Sequence, residues 1–135
     1  MEKIIKSLLG EIQKNPYERI NLQHFSHKIG YSPYHFHRLF KKETNSTFQK
    51  FVEKNRLFFS IRDLLYSNKR IIDIAFQYGF TSHEAYTRAI MKNFQHLPTQ
   101  IRSYQEFLPY FNKNLTSETN ELDEAILRVY AAFYI

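Results

Sequence analysis

The sequence predicts an all-α protein in which two helix-turn-helix subdomains are joined by a long central helix, about seven helices plus an element in the C-terminal tail. Three observations carry this expectation. The 135 residues include only 3 Gly and 4 Pro, too few for the frequent turns of an all-β protein. Apolar residues recur at helical spacing along most of the chain. Ser, Asn and Pro stand where helices start, just before those apolar runs. Hydrophobic residues make up 43% of the chain and aromatics 17%, enough to build a core, so a single globular unit is expected.

The first helix runs from about Glu2 to Lys14, where Ile4, Ile5, Leu8, Leu9 and Ile12 form an apolar set, and Asn15-Pro16 ends it. Charges lie between those apolar residues, which makes an amphipathic helix and not a signal peptide. No stretch reaches membrane-spanning length, so the cytoplasm is the default expectation. Asn21 caps a second helix carrying Leu22, Phe25 and Ile29, and Gly30 breaks it. Ser32 caps a third, with Pro33 at its first position, where the missing N–H costs nothing. A long helix is predicted from about Thr47 to Tyr66, about 30 Å, with Phe48, Phe51, Val52, Leu57, Phe58, Ile61, Leu64 and Leu65 as core candidates. Ile71, Ile74, Ala75 and Tyr78 mark a fifth helix, broken at Gly79. A sixth spans about Ser82 to Phe94, and Pro98 opens a seventh through Gln105.

Charge is unevenly distributed. Residues 1–108 hold 17 Lys/Arg against 9 Asp/Glu, a net of +8, while residues 109–135 hold 2 against 4, a net of −2. The first part is therefore the candidate for binding a polyanion. With no cysteine, disulfides, Cys-ligated zinc and thiol catalysis are excluded together.

The two halves of that basic part echo each other. "IGYSPYHFHRLFKKE" begins at Ile29, and "YGFTSHEAYTRAIMKNF" begins at Tyr78. From Gly30 to Arg38 is 8 positions and from Gly79 to Arg88 is 9, so the second copy carries one extra residue in its turn. Beyond it the copies align at an offset of 50: Ser32 with Ser82, Phe36 with Tyr86, Arg38 with Arg88, Phe40 with Ile90, Lys42 with Lys92. Each copy is a short helix, a glycine-containing turn and a second helix, the layout of a helix-turn-helix unit.

With these residues in view, the sequence resembles the AraC/XylS family of bacterial transcription regulators over roughly residues 1–107. The most specific part is "IIDIAFQYGFTSHEAYTRAIMKNFQHLPTQIR", residues 71–102, which is similar to the family signature; "GYSPYHFHRLFKKETN" looks like the same pattern in the first unit. Ile90 and Met91 depart from the Phe and basic residue of many members, Asp63 from a usual leucine, and His83 and Glu84 from small polar residues or Gln. These departures bear on sequence preference, not on fold.

The resemblance implies a double helix-turn-helix DNA-binding domain over residues 1–108 and a sequence-specific transcriptional regulator. Two recognition helices would enter successive major grooves, about 34 Å apart, so that one chain reads an asymmetric site as a monomer. The long helix has about the right length to set that separation. On the first recognition helix Tyr34, His37 and Arg38 share a face, with Phe36, Leu39 and Phe40 opposite. On the second, His83, Glu84, Thr87 and Arg88 form the matching face, with Tyr86, Ile90 and Phe94 inward. By resemblance these exposed residues are the base readers. Arg38 and Arg88 suit guanine, Glu84 suits cytosine N4, and Tyr34 or the Thr87 methyl suits thymine. Lys41, Lys42 and Lys92, with the N-caps Ser32 and Ser82, are the expected phosphate contacts. Double-stranded DNA is thus the expected partner, with RNA polymerase a candidate second one.

The six histidines include His24/His27 and His35/His37, but no HExxH motif and no acidic partner at ligand spacing, so neither a metal nor a cofactor is expected. No Gly-rich phosphate loop, serine elbow or paired carboxylates suggest an enzyme. The alternative is a helical protein-interaction module of the same fold that no longer binds DNA. The tail, residues 109–135, carries Leu122, Ala125, Ile126, Val129, Ala132 and Phe133 at helical spacing after a capping signal at Asn120, with a strand as the alternative through its β-formers. It would pack on the domain, form a protein contact, or lead into a further domain. Activation and repression are not distinguishable from these residues.

Overall fold

Asn21, in an extended conformation, turns its side-chain oxygen to accept from the backbone N–H groups of Gln23 and His24, at 2.7 and 3.2 Å. Two donors that a helix start leaves orphaned are thereby satisfied, and the second helix begins where the sequence predicts. The computed structural model describes residues 1–107; the expectations for the tail lie outside these residues. In chain order the helices are α1 (Glu2–Lys14), α2 (Leu22–Lys28), α3 (Pro33–Thr44), α4 (Phe48–Tyr66), α5 (Ile71–Gln77), α6 (His83–Phe94) and α7 (Pro98–Ser103), followed by a 3-10 turn over Tyr104–Phe107. No strand occurs among the described residues.

Where a single globular unit was expected, the chain divides into two compact units, residues 1–59 and residue 60 onward. The boundary falls inside α4, so one continuous helix contributes its first turns to one core and its last turns to the other.

In the first unit the core is largely aromatic. Phe25, Phe36, Phe40 and Phe48 are each at most 1% exposed and meet at centroid separations of 5.6–5.8 Å, joined by Leu8 and Ile12 of α1 and by Val52. Their tilted and edge-on contacts match the ring quadrupoles as well as burying area. Phe51, predicted as core, is only half-buried, packing edge-on against Phe40. Phe58 and Leu39 are likewise half-buried. In the second unit Ile74 and Ala75 of α5, Tyr86, Ile90 and Phe94 of α6, and Ile101 of α7 are all fully buried, with Leu64 from α4.

Two polar residues of α4 are buried that the apolar pattern did not single out. Arg56, 2% exposed, donates from Nε to Pro16 O and from Nη2 to Tyr17 O, both at 2.8 Å, and from Nη1 to Glu53 at 3.0 Å. Its guanidinium thus fastens the α1–α2 connection to α4. Ser60 is buried against the Tyr86 hydroxyl at 2.8 Å. Arg102 plays a part like that of Arg56 in the second unit, donating to Leu64 O and Lys69 O at 2.6 and 2.8 Å.

Gly10 and Gly30 allow a test of backbone conformation without a packing effect, because a Cβ added at either would meet nothing within 4 Å. Gly10 lies inside α1, so Gly10→Ala should stabilise by about 0.5–1 kcal/mol through helix propensity. Gly30 has φ +84°, so Gly30→Ala should destabilise by about 1 kcal/mol or more. Urea midpoints of the two variants should move in opposite directions; a shared direction would contradict the left-handed turn.

Candidate nucleic-acid interface

The turn that presents each recognition helix is built alike, bond by bond. In the first copy Gly30 N–H donates to His27 O and Tyr31 N–H to Ser26 O; in the second, Gly79 N–H donates to Phe76 O and Phe80 N–H to Ala75 O. Gly30 and Gly79 have φ of 84° and 86°, a conformation that costs glycine little. The extra residue, Thr81, enters only after this reversal. Ser32 and Ser82 then cap α3 and α6, their hydroxyl oxygens accepting from His35 N–H and Ala85 N–H at 3.2 and 3.1 Å. At the far end Asn45 and Gln95, again 50 apart, both take φ 57° and close the helices onto Lys41 O and Met91 O.

Each helix has one face committed inward. Phe36 and Phe40 of α3, and Tyr86, Ile90 and Phe94 of α6, are fully buried, as predicted. The opposite faces therefore carry the accessible chemistry. On α3, Tyr34 is 72% exposed, Arg38, Lys41 and Lys42 are exposed, and His37 is half-buried. The Arg38 guanidinium lies over the Tyr34 ring, 5.7 Å from its centroid, so the two predicted readers support each other. On α6, Glu84, Arg88 and Lys92 are exposed, whereas His83 and Thr87 are half-buried. The Thr87 hydroxyl oxygen is buried without a hydrogen-bond partner, so what Thr87 leaves accessible is not its hydroxyl.

Part of the positive charge elsewhere on the described surface is already neutralised. Lys6, Lys28, Lys69 and Arg70 are each paired with an acid, Glu2, Glu11, Asp63 and Asp73 respectively. The Arg70 guanidinium is raised above its ordinary pKa, chiefly by its hydrogen bond to Asp73. In contrast, no ion pair among the described residues involves Arg38, Lys41, Lys42, Arg88 or Lys92. Cations left without an acidic partner on a helix face opposite the core are available to a polyanion. No group of three or more His, Asp or Glu among the described residues could hold a metal, and no described helix is long and apolar enough to cross a membrane.

Beneath α6, burial pushes the Tyr86 hydroxyl far above its ordinary pKa of 10.0; Asp63 adds to the rise, and the Ser60 hydrogen bond and Arg102 oppose it. The unfolded chain therefore loses this proton first as pH rises. The stabilisation is complete below pH 10 and declines above it.

Residues 25–104 match a family described as helix-turn-helix domain. An uncharacterized HTH-type transcriptional regulator of Bacillus subtilis, YbfP, is 33% identical over 120 residues, 89% of this chain and 38% of that one. The probable transcription factor PqrA of Proteus vulgaris is 35% identical over 99 residues, 73% of this chain and 80% of that one. The chain thus spans well under half of the first relative and most of the second. Among solved structures, a Chromobacterium violaceum transcriptional regulator described as AraC-type DNA-binding domain-containing superposes with a TM-score of 0.71 at 20% identity, over 77% of this chain and 93% of that one. At that identity the likeness shows the fold.

Tyr86→Phe should cost about 1 kcal/mol near neutral pH by removing the bond to Ser60. The gap between wild type and variant should narrow above pH 10, because the variant has no phenol to ionise. Denaturant melts of both proteins across that range check it; a constant gap would mean that the folded phenol is not protected.

Proposed function

Because the chain belongs to the AraC-type helix-turn-helix family, we propose that it is a sequence-specific DNA-binding transcriptional regulator that inserts α3 and α6 into successive major grooves. The observation that carries this reading is the doubled unit itself. Two turns with matching hydrogen bonds each present a helix with one buried face and one outward face bearing unpaired cations. A single unit would need a second copy to read two grooves, and a chain with two units reads them as a monomer on an asymmetric site.

The roles follow from the chemistry of each side chain. Arg38 and Arg88 carry the planar fork that matches guanine O6 and N7. Glu84, in the first turn of α6, accepts from cytosine N4, and His37 and His83 flank the same faces. Tyr34, and the methyl of Thr87 now that its hydroxyl is turned in, make apolar contacts with thymine. Lys41, Lys42 and Lys92 lie in the last turns of their helices and contact phosphate. The Ser32 and Ser82 hydroxyls accept from the backbone but donate to no described residue, which leaves each a proton for a phosphate oxygen.

Base contacts and phosphate contacts differ in what their loss does. Arg38→Ala or Arg88→Ala should cost roughly 1–3 kcal/mol on the preferred duplex and relax the choice at one or two base positions. Lys42→Ala should weaken preferred and scrambled duplexes alike and lower the salt slope by about one counterion. The measurement is binding to both duplexes at several salt concentrations, after selecting the preferred site from random DNA. If Arg88→Ala weakens both equally, α6 does not read bases through Arg88. A two-to-one protein to DNA ratio on a palindromic selected site would refute the monomeric reading.

A further inference from the structure

A groove of about 840 Å³ runs beside the outward face of α3, and neither its arginine nor its lysine was singled out by the repeat. Its lining comes from four places in the chain. Arg19 and Asn21 belong to the α1–α2 connection, Gln23 to α2, His37 to α3, and Thr47 and Lys50 to the start of α4. His37 lines both this groove and the α3 face, so the two surfaces are continuous.

The polar groups of this groove are sorted by what they can still do. Asn21 Oδ1 is occupied by the N–H groups of Gln23 and His24, and Thr47 Oγ1 by the N–H of Lys50 at 3.2 Å. Two of the acceptors are therefore consumed by helix caps. The Asn21 amide N–H₂, the Arg19 guanidinium and the Lys50 ammonium donate to no described residue, and Arg19 and Lys50 are exposed with no acidic partner among the described residues. Glu53 lines an adjoining cavity with Arg19 and Lys50, but its carboxylate is engaged by the buried Arg56. What remains is a concave surface of donors and positive charge, suited to a ligand that offers several acceptor oxygens and negative charge.

We infer that this groove is a phosphodiester-binding site, in which Arg19 and Lys50 hold the DNA strand that borders the groove read by α3. The inference rests on the DNA-binding reading above. It adds an anchor from outside the repeat, contributed by residues 31 positions apart in the chain (50 − 19) that only the fold brings together. Phosphate contacts of this kind fix register and carry no sequence information.

The test uses the full chain with Arg19→Gln, Lys50→Gln and the double variant, on the preferred duplex and a scrambled duplex of equal length, across a range of salt. Lys3→Gln, an exposed lysine of α1, controls for net charge. Thermal melts of all variants should match wild type, since the substituted side chains hold nothing in the fold. Each groove substitution should weaken both duplexes by the same factor and lower the slope of log affinity against log salt by about 0.9, the double variant by about 1.8. Wild-type affinity and slope in the double variant would overturn the groove while leaving base reading by α3 and α6 intact. An equal effect of Lys3→Gln would reduce it to net charge and overturn it too. Loss confined to the preferred duplex would mean that these residues read bases, against the phosphate assignment. Absence of binding by wild type on any duplex is the separate result that removes the DNA-binding reading itself.

Discussion

The left-handed residue between the two helices of each unit is the constraint on which the rest depends. Gly30 and Gly79 reverse the chain, so that Phe36 returns against Phe25 in the first unit, with Phe40 packed on Phe36, and in the second Phe80 bonds back to Ala75 O while its ring meets that of Tyr86. Once those inward residues are seated, a helix has no freedom left about its own axis. Arg38 and Arg88 face outward because Phe36 and Tyr86, two positions earlier, face in. At the other end the chain accepts positive φ at Asn45 and Gln95, which are not glycine. Asparagine tolerates that conformation; at Gln95 the side-chain amide donates back to Lys92 O, recovering one orphaned carbonyl.

Around these seats, one buried and one half-buried arginine do what small apolar cores cannot do alone. Connections without regular structure expose carbonyls that need donors when they are covered. Arg56 supplies two such donors to Pro16 and Tyr17, and Arg102 supplies one to Lys69 and another to Leu64 O near the end of α4, so each unit ties an irregular segment to α4 with one guanidinium. Burying a guanidinium is costly unless its N–H groups are used; for Arg56, Glu53 offsets the remaining charge. In the second unit the Ser60–Tyr86 bond similarly lets α4 and α6 share a buried polar contact.

Helix positions were legible because caps and breakers are local. Asn21, Ser32, Gly30 and Gly79 act through their own backbone, and the predicted bounds agree within a residue or two, with Thr47 proving a cap and the last turn becoming 3-10. The outward faces of α3 and α6 were legible for the same reason, since a helical period fixes which residues share a side. Arg56 and Ser60 were not identified, although the signal was there: they continue the every-fourth-residue stripe of Phe48, Val52 and Leu64 on α4. Polar residues on an apolar stripe have partners whose identity only tertiary packing reveals. The orientation of the Thr87 hydroxyl and the convergence of Arg19 with Lys50 are of this kind, being properties of a folded surface and not of spacing.

The two halves share a backbone and differ in chemistry, and that difference bears on what they can recognise. The outward face of α3 offers an aromatic ring, an imidazole and a guanidinium, with no carboxylate among its predicted readers. The corresponding face of α6 places Glu84 in its first turn and keeps the Thr87 hydroxyl buried. A carboxylate repels guanine's O6 and N7 edge and accepts from cytosine or adenine amino groups, so the positions it faces exclude what an arginine at the same place would choose. Duplication of the turn therefore preserved geometry while the faces diverged. On the reading proposed above, a chain built this way has no reason to prefer a palindrome, because its two outward faces differ in chemistry.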